Sequence, residues 1–163
     1  MALQKKHGGR TLNIRPAARE DMPVLFALDR ACFRPGIAYS RAELEYFVFH
    51  PRSVSIVAED KSGIAGFAVV DFLPERGQVL GHIVTIDVAP TMRRQGVGRA
   101  LMEAIMTVCR ERQAARVRLE VAVDNDAALA FYGLLGFVET GRIRGFYMGK
   151  LDALVMGLTL QGD

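Results

Sequence analysis

Tryptophan is absent from the 163 residues, and there are only two cysteines and three histidines. Each shortage removes a class of function. Cys32 and Cys109 have no partner motif and sit in apolar helical patterns, so buried thiols are expected rather than a disulfide, a metal site or a nucleophile. His7, His50 and His82 are isolated from one another, and Asp87 has no carboxylate partner at ligand spacing, so no metal is expected. No block of Lys and Arg is longer than two, and the net charge of +3 is spread over both signs, which favours a mixed solvated surface over a nucleic-acid partner. No apolar run approaches the roughly 20 residues that cross a bilayer, so no membrane partner is expected. Residues 1–10 are polar and basic and lack the apolar stretch of a signal peptide. They read as a disordered leader, residues 11–163 read as a single domain, and the expected compartment is the cytoplasm.

What the chain does have is enough apolar material for a core, at 50% hydrophobic residues. Alternation predicts a strand over residues 11–15, ended by Pro16. Val24, Leu25, Leu28 and Cys32 predict a helix over residues 17–33, with Pro23 in its first turn. Ser40-Arg41-Ala42-Glu43 is a capping box for a second helix that runs to Phe49. Strands follow over residues 54–59, 64–72 and 78–88, joined by a loop at residues 60–63 and another at residues 73–77, which reads as an antiparallel meander. A further strand is expected over residues 116–123, a helix over 127–135 and a closing strand pair over 137–144 and 151–160. The order is β-α-α-β-β-β-α-β-α-β-β, with no repeat and no second domain.

One stretch carries a chemical signature. The strand over residues 82–88 stops at Pro90, and Arg93-Arg94-Gln95-Gly96-Val97-Gly98 leads into a helix whose stripe is Val97, Ala100, Leu101, Ala104, Ile105 and Val108. Such a junction aims free backbone N–H groups and the positive end of a helix dipole into one gap, a setting for phosphate. Gly96 can take positive φ, and Gly98 leaves room for a close approach. Arg93, Arg94 and Arg99 add permanent charge. A P-loop would need Lys-Ser/Thr after the last glycine, where this chain has Arg99-Ala100; a dinucleotide fold would want a third glycine where Leu101 stands.

Val88-Ala89-Pro90 with Arg93-x-x-Gly96-x-Gly98-Arg99-Ala100-Leu101 resembles the acetyl-CoA pyrophosphate motif of the GNAT superfamily of N-acetyltransferases. Leu119-Glu120-Val121 followed by Asn125-x-x-Ala128-x-x-Phe131-Tyr132-x-x-x-Gly136-Phe137 is similar to that superfamily's second motif. Together with Ile143-Arg144-x-x-Tyr147 and Asp152-Ala153-x-x-Met156, these residues look most like the ribosomal-protein N-terminal alanine acetyltransferases. Two departures fall on the substrate side: Gly36-Ile37-Ala38-Tyr39-Ser40 replaces the usual Pro-Trp-Ser/Thr, and Phe146-Tyr147 replaces paired tyrosines.

The resemblance implies an α+β GNAT fold, its mostly antiparallel sheet splayed at the cofactor site, and acetyl-CoA as donor. Glu120 would be the general base and Tyr132 the acid that protonates the leaving thiolate. Ile86 and Val88 would lend backbone groups to the pantetheine arm, residues Arg93, Arg94, Gly96, Val97, Gly98 and Arg99 would hold the pyrophosphate, and Asn125 would touch pantetheine, while either Asp124 or Asn125 can cap the helix that follows. Tyr39 and Tyr147 are candidates for lining the acceptor site. By spacing alone, Glu120 reads rather as a surface carboxylate paired with Arg118, and it is the motif that favours the catalytic role. The expected acceptor is a protein or peptide N-terminus, with a small amine as alternative and a non-catalytic coenzyme A sensor as a second. A monomer or homodimer is expected.

Overall fold

The computed structural model describes residues 2–7 and 9–160. Eight strands form one sheet in the order β1-β2-β3-β4-β5-β6-β8-β7. The strands are β1 (Leu3–His7), β2 (Arg10–Pro16), β3 (Ser53–Asp60), β4 (Gly63–Glu75), β5 (Gln78–Val88), β6 (Ala114–Ala122), β7 (Val138–Tyr147) and β8 (Leu151–Thr159). Helices α1 (Met22–Cys32) and α2 (Arg41–Phe49) follow β2, α3 (Val97–Glu111) joins β5 to β6, and α4 (Asp126–Leu134) joins β6 to β7. Every strand pair is antiparallel except β5 with β6, because the α3 crossover returns the chain in the same direction. The expected mixed α+β architecture is present.

Two apolar layers sandwich the sheet. On one face, Val97, Ala100, Leu101, Ala104, Ile105 and Cys109 of α3 pack with Val117, Leu119 and Val121 of β6, and Phe131 and Tyr132 of α4 lie against them. On the other, Leu25 and Leu28 of α1 and Leu44 and Val48 of α2 cover Val57, Phe67 and Val69. The stripe in α3 is the 3.6-residue period made solid, and Phe67, fully buried, anchors the opposite layer. Ser40 caps α2 as expected, its hydroxyl accepting from Glu43 N–H at 3.2 Å while Glu43 accepts from Ser40 N–H at 2.8 Å.

Three expectations need correcting. Residues 3–7, expected within a disordered leader, pair with residues 10–14 as β1, and Lys5 Nζ reaches Glu103 of α3 at 2.9 Å; Met1 and Gly8 lie outside the described residues. The helix expected over residues 17–33 is two pieces, a 3-10 turn Arg19–Asp21 and then α1. Asp21 divides them, because its carboxylate accepts from Ala18 N–H at 2.7 Å and from Arg15 at 2.8 and 2.9 Å. Finally, residues 73–75 are strand rather than loop, since Leu73 and Pro74 sit opposite Leu80 and Val79. Only Arg76 (φ 50°) and Gly77 (φ 78°) turn, the two-residue geometry whose twist matches the flanking strands.

Candidate active site

The parallel ladder between β5 and β6 is short. It runs from Val79 opposite Ala114 to His82 opposite Arg118 and stops. Beyond that point residues 83–88 pair only with β4, and residues 119–122 pair only with β8. The two strands therefore diverge into a V, and the free edge of β5 carries unpaired backbone groups along one wall. Val84 helps to open it. Ile83 and Thr85 face the adjacent residues Val70 and Val69, so Val84 is an extra residue bulged out of the ladder. Its carbonyl accepts from the Tyr39 hydroxyl at 3.4 Å.

The same wall continues from the tip of β5. Ala89 N–H donates to Ala65 O at 2.8 Å, a 3-10 turn spans Pro90–Met92, and Arg94 (φ 61°) and Gly96 (φ 82°) both take left-handed backbone. Alternating hands of this kind turn successive N–H groups to the inside of a loop. No side chain caps α3, whose first backbone bond is Ala100 N–H to Gly96 O at 3.0 Å. Its leading N–H groups thus carry no side-chain cap. Gly96 adopts the positive φ expected of it. At Gly98 an added Cβ would meet only side chains at ordinary spacing, Phe131 at 3.5 Å and Val88 at 3.6 Å. The glycine that the packing demands is Gly66, where a Cβ would lie 2.5 Å from Asp87 O and 3.2 Å from both Leu101 and Val97. Its bare backbone lets α3 settle over β4 and β5.

Arg94 and Arg99 are exposed at this wall, Arg99 3.5 Å from Glu103. Arg93 lies beside the Cys32 thiol and within electrostatic reach of Asp87, so its guanidinium faces α1 as well as the loop. Asn125 does cap α4, accepting from Ala128 N–H at 3.2 Å.

At the crotch of the V, Glu120 Oε2 lies 2.6 Å from His82 Nε2, with side-chain exposures of 13% and 22%. Arg118 Nε is 3.7 Å from the other Glu120 oxygen, so the pairing with Arg118 exists but the tighter partner is His82. Nothing in the local sequence joins residues 82 and 120. Only the last rung of the parallel ladder does so, placing His82 beside Arg118 and two residues from Glu120.

Tyr132 stands on the opposite layer, its ring 5.3 Å from that of Phe131 and 5.8 Å from that of Phe137. Burial, then the Asp87 and Tyr147 charges, raise its pKa, so the phenol keeps its proton throughout the neutral range. Burial followed by the Glu120 charge pushes Tyr147 up to about 12. Tyr39 is raised by burial first and then by Asp29, Tyr147, Glu120 and Asp87. Tyr39, Glu120 and Tyr147 thus lie within electrostatic reach of one another, and Tyr132 lies within reach of Tyr147. Gly36 of the α1–α2 loop packs on Met148 after β7, since a Cβ on Gly36 would collide with the Met148 sulfur. Arg34 of the α1–α2 loop and Asp124 of the β6–α4 loop form an ion pair at 3.0 Å.

Sequence reasoning missed Asp29 and Asp87. Asp87, which has no carboxylate neighbour along the chain, meets Asp29 of α1 in the fold, and the two are 1% and 0% exposed. Asp29 is hidden within the apolar stripe of a helix, where no spacing rule singles it out.

Comparison with known proteins agrees with this geometry. Residues 22–137 match the Acetyltransferase (GNAT) family. The chain is 34% identical over 116 residues to N-alpha-acetyltransferase 30 of Schizosaccharomyces pombe, covering 71% of this chain and 77% of that protein. It is 35% identical over 100 residues to the ribosomal protein bS18-alanine N-acetyltransferase of Escherichia coli, covering 60% and 65%. The crystal structure of the ribosomal-protein-S18-alanine N-acetyltransferase from Escherichia coli superposes with a TM-score of 0.80 at 26% identity, over 93% of this chain and 97% of that one. A splayed β5–β6 pair, an uncapped helix after a glycine loop and a family match spanning both place the chain in the acetyltransferase (GNAT) family, as an N-acetyltransferase.

Proposed function

We propose that the protein moves an acetyl group from acetyl-CoA to the α-amine of a protein or peptide N-terminus. The observation that carries this reading is the V itself, with a free strand edge on one wall and the His82–Glu120 pair at its base; we assign the far side to Tyr132 from the motif it belongs to. Relatives named as N-alpha-acetyltransferases and alanine N-acetyltransferases support the choice of acceptor.

The residues fit the donor. The open edge of β5 at Ile86 and Val88 offers hydrogen bonds to an extended amide-bearing arm, as an added strand would take them. The N–H groups of residues 96–99, with Arg93, Arg94 and Arg99, suit a pyrophosphate. Asn125, at the start of α4, reaches the same arm. Acetyl-CoA supplies an activated thioester carbonyl. Glu120, through a water and assisted by His82, takes a proton from the attacking amine. As the C–N bond forms and the C–S bond breaks, Tyr132 gives its proton to the departing sulfur. A free N–H of the β5 edge steadies the oxygen that gains charge. Tyr39 and Tyr147 line the acceptor side.

No helix among the described residues is long and apolar enough to cross a membrane. We place the reaction in the cytoplasm, carried out by a monomer or homodimer. The test is a substrate profile with acetyl-CoA: peptides with free N-termini are acetylated, and the same peptides with blocked N-termini are not. Turnover confined to small amines would overturn the reading of the acceptor, and coenzyme A binding without any turnover would overturn the enzyme.

A further inference from the structure

Two carboxylates that the proposed chemistry does not use lie against the free end of β5. Asp87 projects from β5 and Asp29 from α1, both inside the protein at 1% and 0% exposure. Two of their four oxygens have donors. Asp87 Oδ1 accepts from Thr85 Oγ1 at 2.5 Å, and Asp29 Oδ2 accepts from Tyr39 N–H at 2.7 Å. Asp29 Oδ1 and Asp87 Oδ2 have no donor, although the two side chains meet. Two facing carboxylate oxygens out of reach of water are a costly arrangement, and a single proton removes the cost. On Asp87 Oδ2 it neutralises one group and donates to Asp29 Oδ1, which satisfies the fourth and last oxygen as well as the third.

We propose that Asp29 and Asp87 share one proton and thereby pin Tyr39, and with it the α1–α2 loop, to the bulged end of β5, which makes them positioning residues for the acceptor site. The role at the acceptor rests on the N-terminal acetyltransferase reading; the shared proton does not. Other groups around the pair leave it intact. Arg93 faces it from the loop before α3 and offsets part of the Asp87 charge. Cys32 of α1 keeps its proton, because burial raises its pKa first and the Asp87 charge raises it further. The Tyr39 and Tyr132 phenols are likewise raised and neutral. Tyr39 is held twice, by its N–H on Asp29 and by its hydroxyl on Val84 O, so the pair governs one of its two anchors.

The sign of the pH effect follows from where the proton is bound. Burial raises both carboxyl groups above their ordinary value, Asp87 well above it. The native state therefore holds a proton that the unfolded chain releases near pH 4. Stability is full below that value and falls as pH rises towards the raised native pKa, by up to about tenfold in the unfolding constant per pH unit. Past the native pKa, two adjacent buried charges repel, the Tyr39 anchor loosens and the KM for the acceptor rises while kcat holds.

The experiment follows the full chain from pH 5 to 9 by unfolding and by hydrogen exchange at the Tyr39 amide, corrected for intrinsic exchange rate, and measures acceptor KM with an unblocked peptide. In the wild type, stability and Tyr39 protection both fall as pH rises. Asp87→Asn, whose amide donates to Asp29 without needing a proton, flattens both curves and lowers KM at pH 9 below the wild-type value. Asp29→Asn, which can accept from Tyr39 and donate to Asp87, does the same. Asp87→Leu, which cannot donate, exposes the Tyr39 amide to exchange at every pH. If wild type and Asp87→Asn share one pH slope, or if Asp87→Leu leaves Tyr39 protected, the proposal fails. If the slopes behave as stated but no peptide is acetylated, the acceptor reading fails and the shared proton stands.

Discussion

The two walls of the V are made of different material. The β5–α3 wall presents backbone: a free strand edge, left-handed turns at Arg94 and Gly96, and an uncapped helix start. On the proposed reading the base and far wall act through side chains brought from distant parts of the chain, with His82 on β5, Glu120 on β6, Tyr132 on α4 and Tyr147 at the end of β7. A backbone site tolerates changes of side chain and is sensitive to anything that fills its space. A side-chain site has the opposite sensitivity, and substitutions can separate the two.

The largest effect is expected on the side-chain wall. Glu120→Gln or Tyr132→Phe should lower kcat by roughly 10²–10⁴-fold, the usual contribution of a placed proton-transfer group. Affinity for acetyl-CoA, measured by calorimetry, should stay within about twofold, because neither residue belongs to the phosphate wall. Equal losses in binding and turnover would erase the distinction between the walls. His82→Gln, which keeps a polar partner near Glu120 but removes the imidazole, should cost less than loss of Glu120 and should move the pH profile of kcat/KM; a lower rate with an unmoved profile would make His82 a packing residue.

The same contrast explains which parts could be read from the chain. The strand and helix around Gly96 were legible because a backbone site leaves a local record: a β-branched run, a proline stop, glycines and a stripe at helical period. Glu120, Asn125 and Tyr132 were singled out only because they belong to a familiar motif, which no local pattern around them would have supplied. His82 was not legible, since its link to Glu120 exists only through the parallel register. Asp29 and Asp87 lie further from view, because a charge in an apolar stripe reads as an ordinary interruption until its neighbour across the core is known. At fold level β1 escaped for a related reason. Residues 3–7 carry little apolar signal, and what holds them is a backbone ladder and the Lys5–Glu103 pair.

Glycine substitutions sharpen the comparison from the side of the backbone wall. Gly66→Ala sets a Cβ against Asp87 O at 2.5 Å, a contact the strand cannot relieve by rotating a side chain. A loss of about 1–3 kcal/mol in unfolding free energy is expected, typical of overpacking a filled core. Gly98→Ala meets only side chains at 3.5 and 3.6 Å in the first turn of α3. Helix propensity then favours alanine by up to about 1 kcal/mol, so the protein should melt no lower than wild type. If Gly98 faces the pyrophosphate, acetyl-CoA binding should weaken even so. Stability and affinity would then move in opposite directions, which a purely structural glycine would not produce.

The smallest effect is expected from the charges that first drew attention to the loop. Arg94 and Arg99 are solvent-exposed, and Arg99 is shared with Glu103. Their field reaches the phosphate site through water and is screened within a Debye length of about 8 Å at physiological salt. If the backbone N–H groups do most of the binding, Arg94→Ala and Arg99→Ala should each raise the acetyl-CoA KM only a few-fold, with kcat unchanged. The difference from wild type should shrink as salt is raised from 50 to 500 mM. A loss of a hundredfold or more that persists at high salt would show a directly coordinated guanidinium, and would move the cofactor wall from a backbone site to a side-chain one.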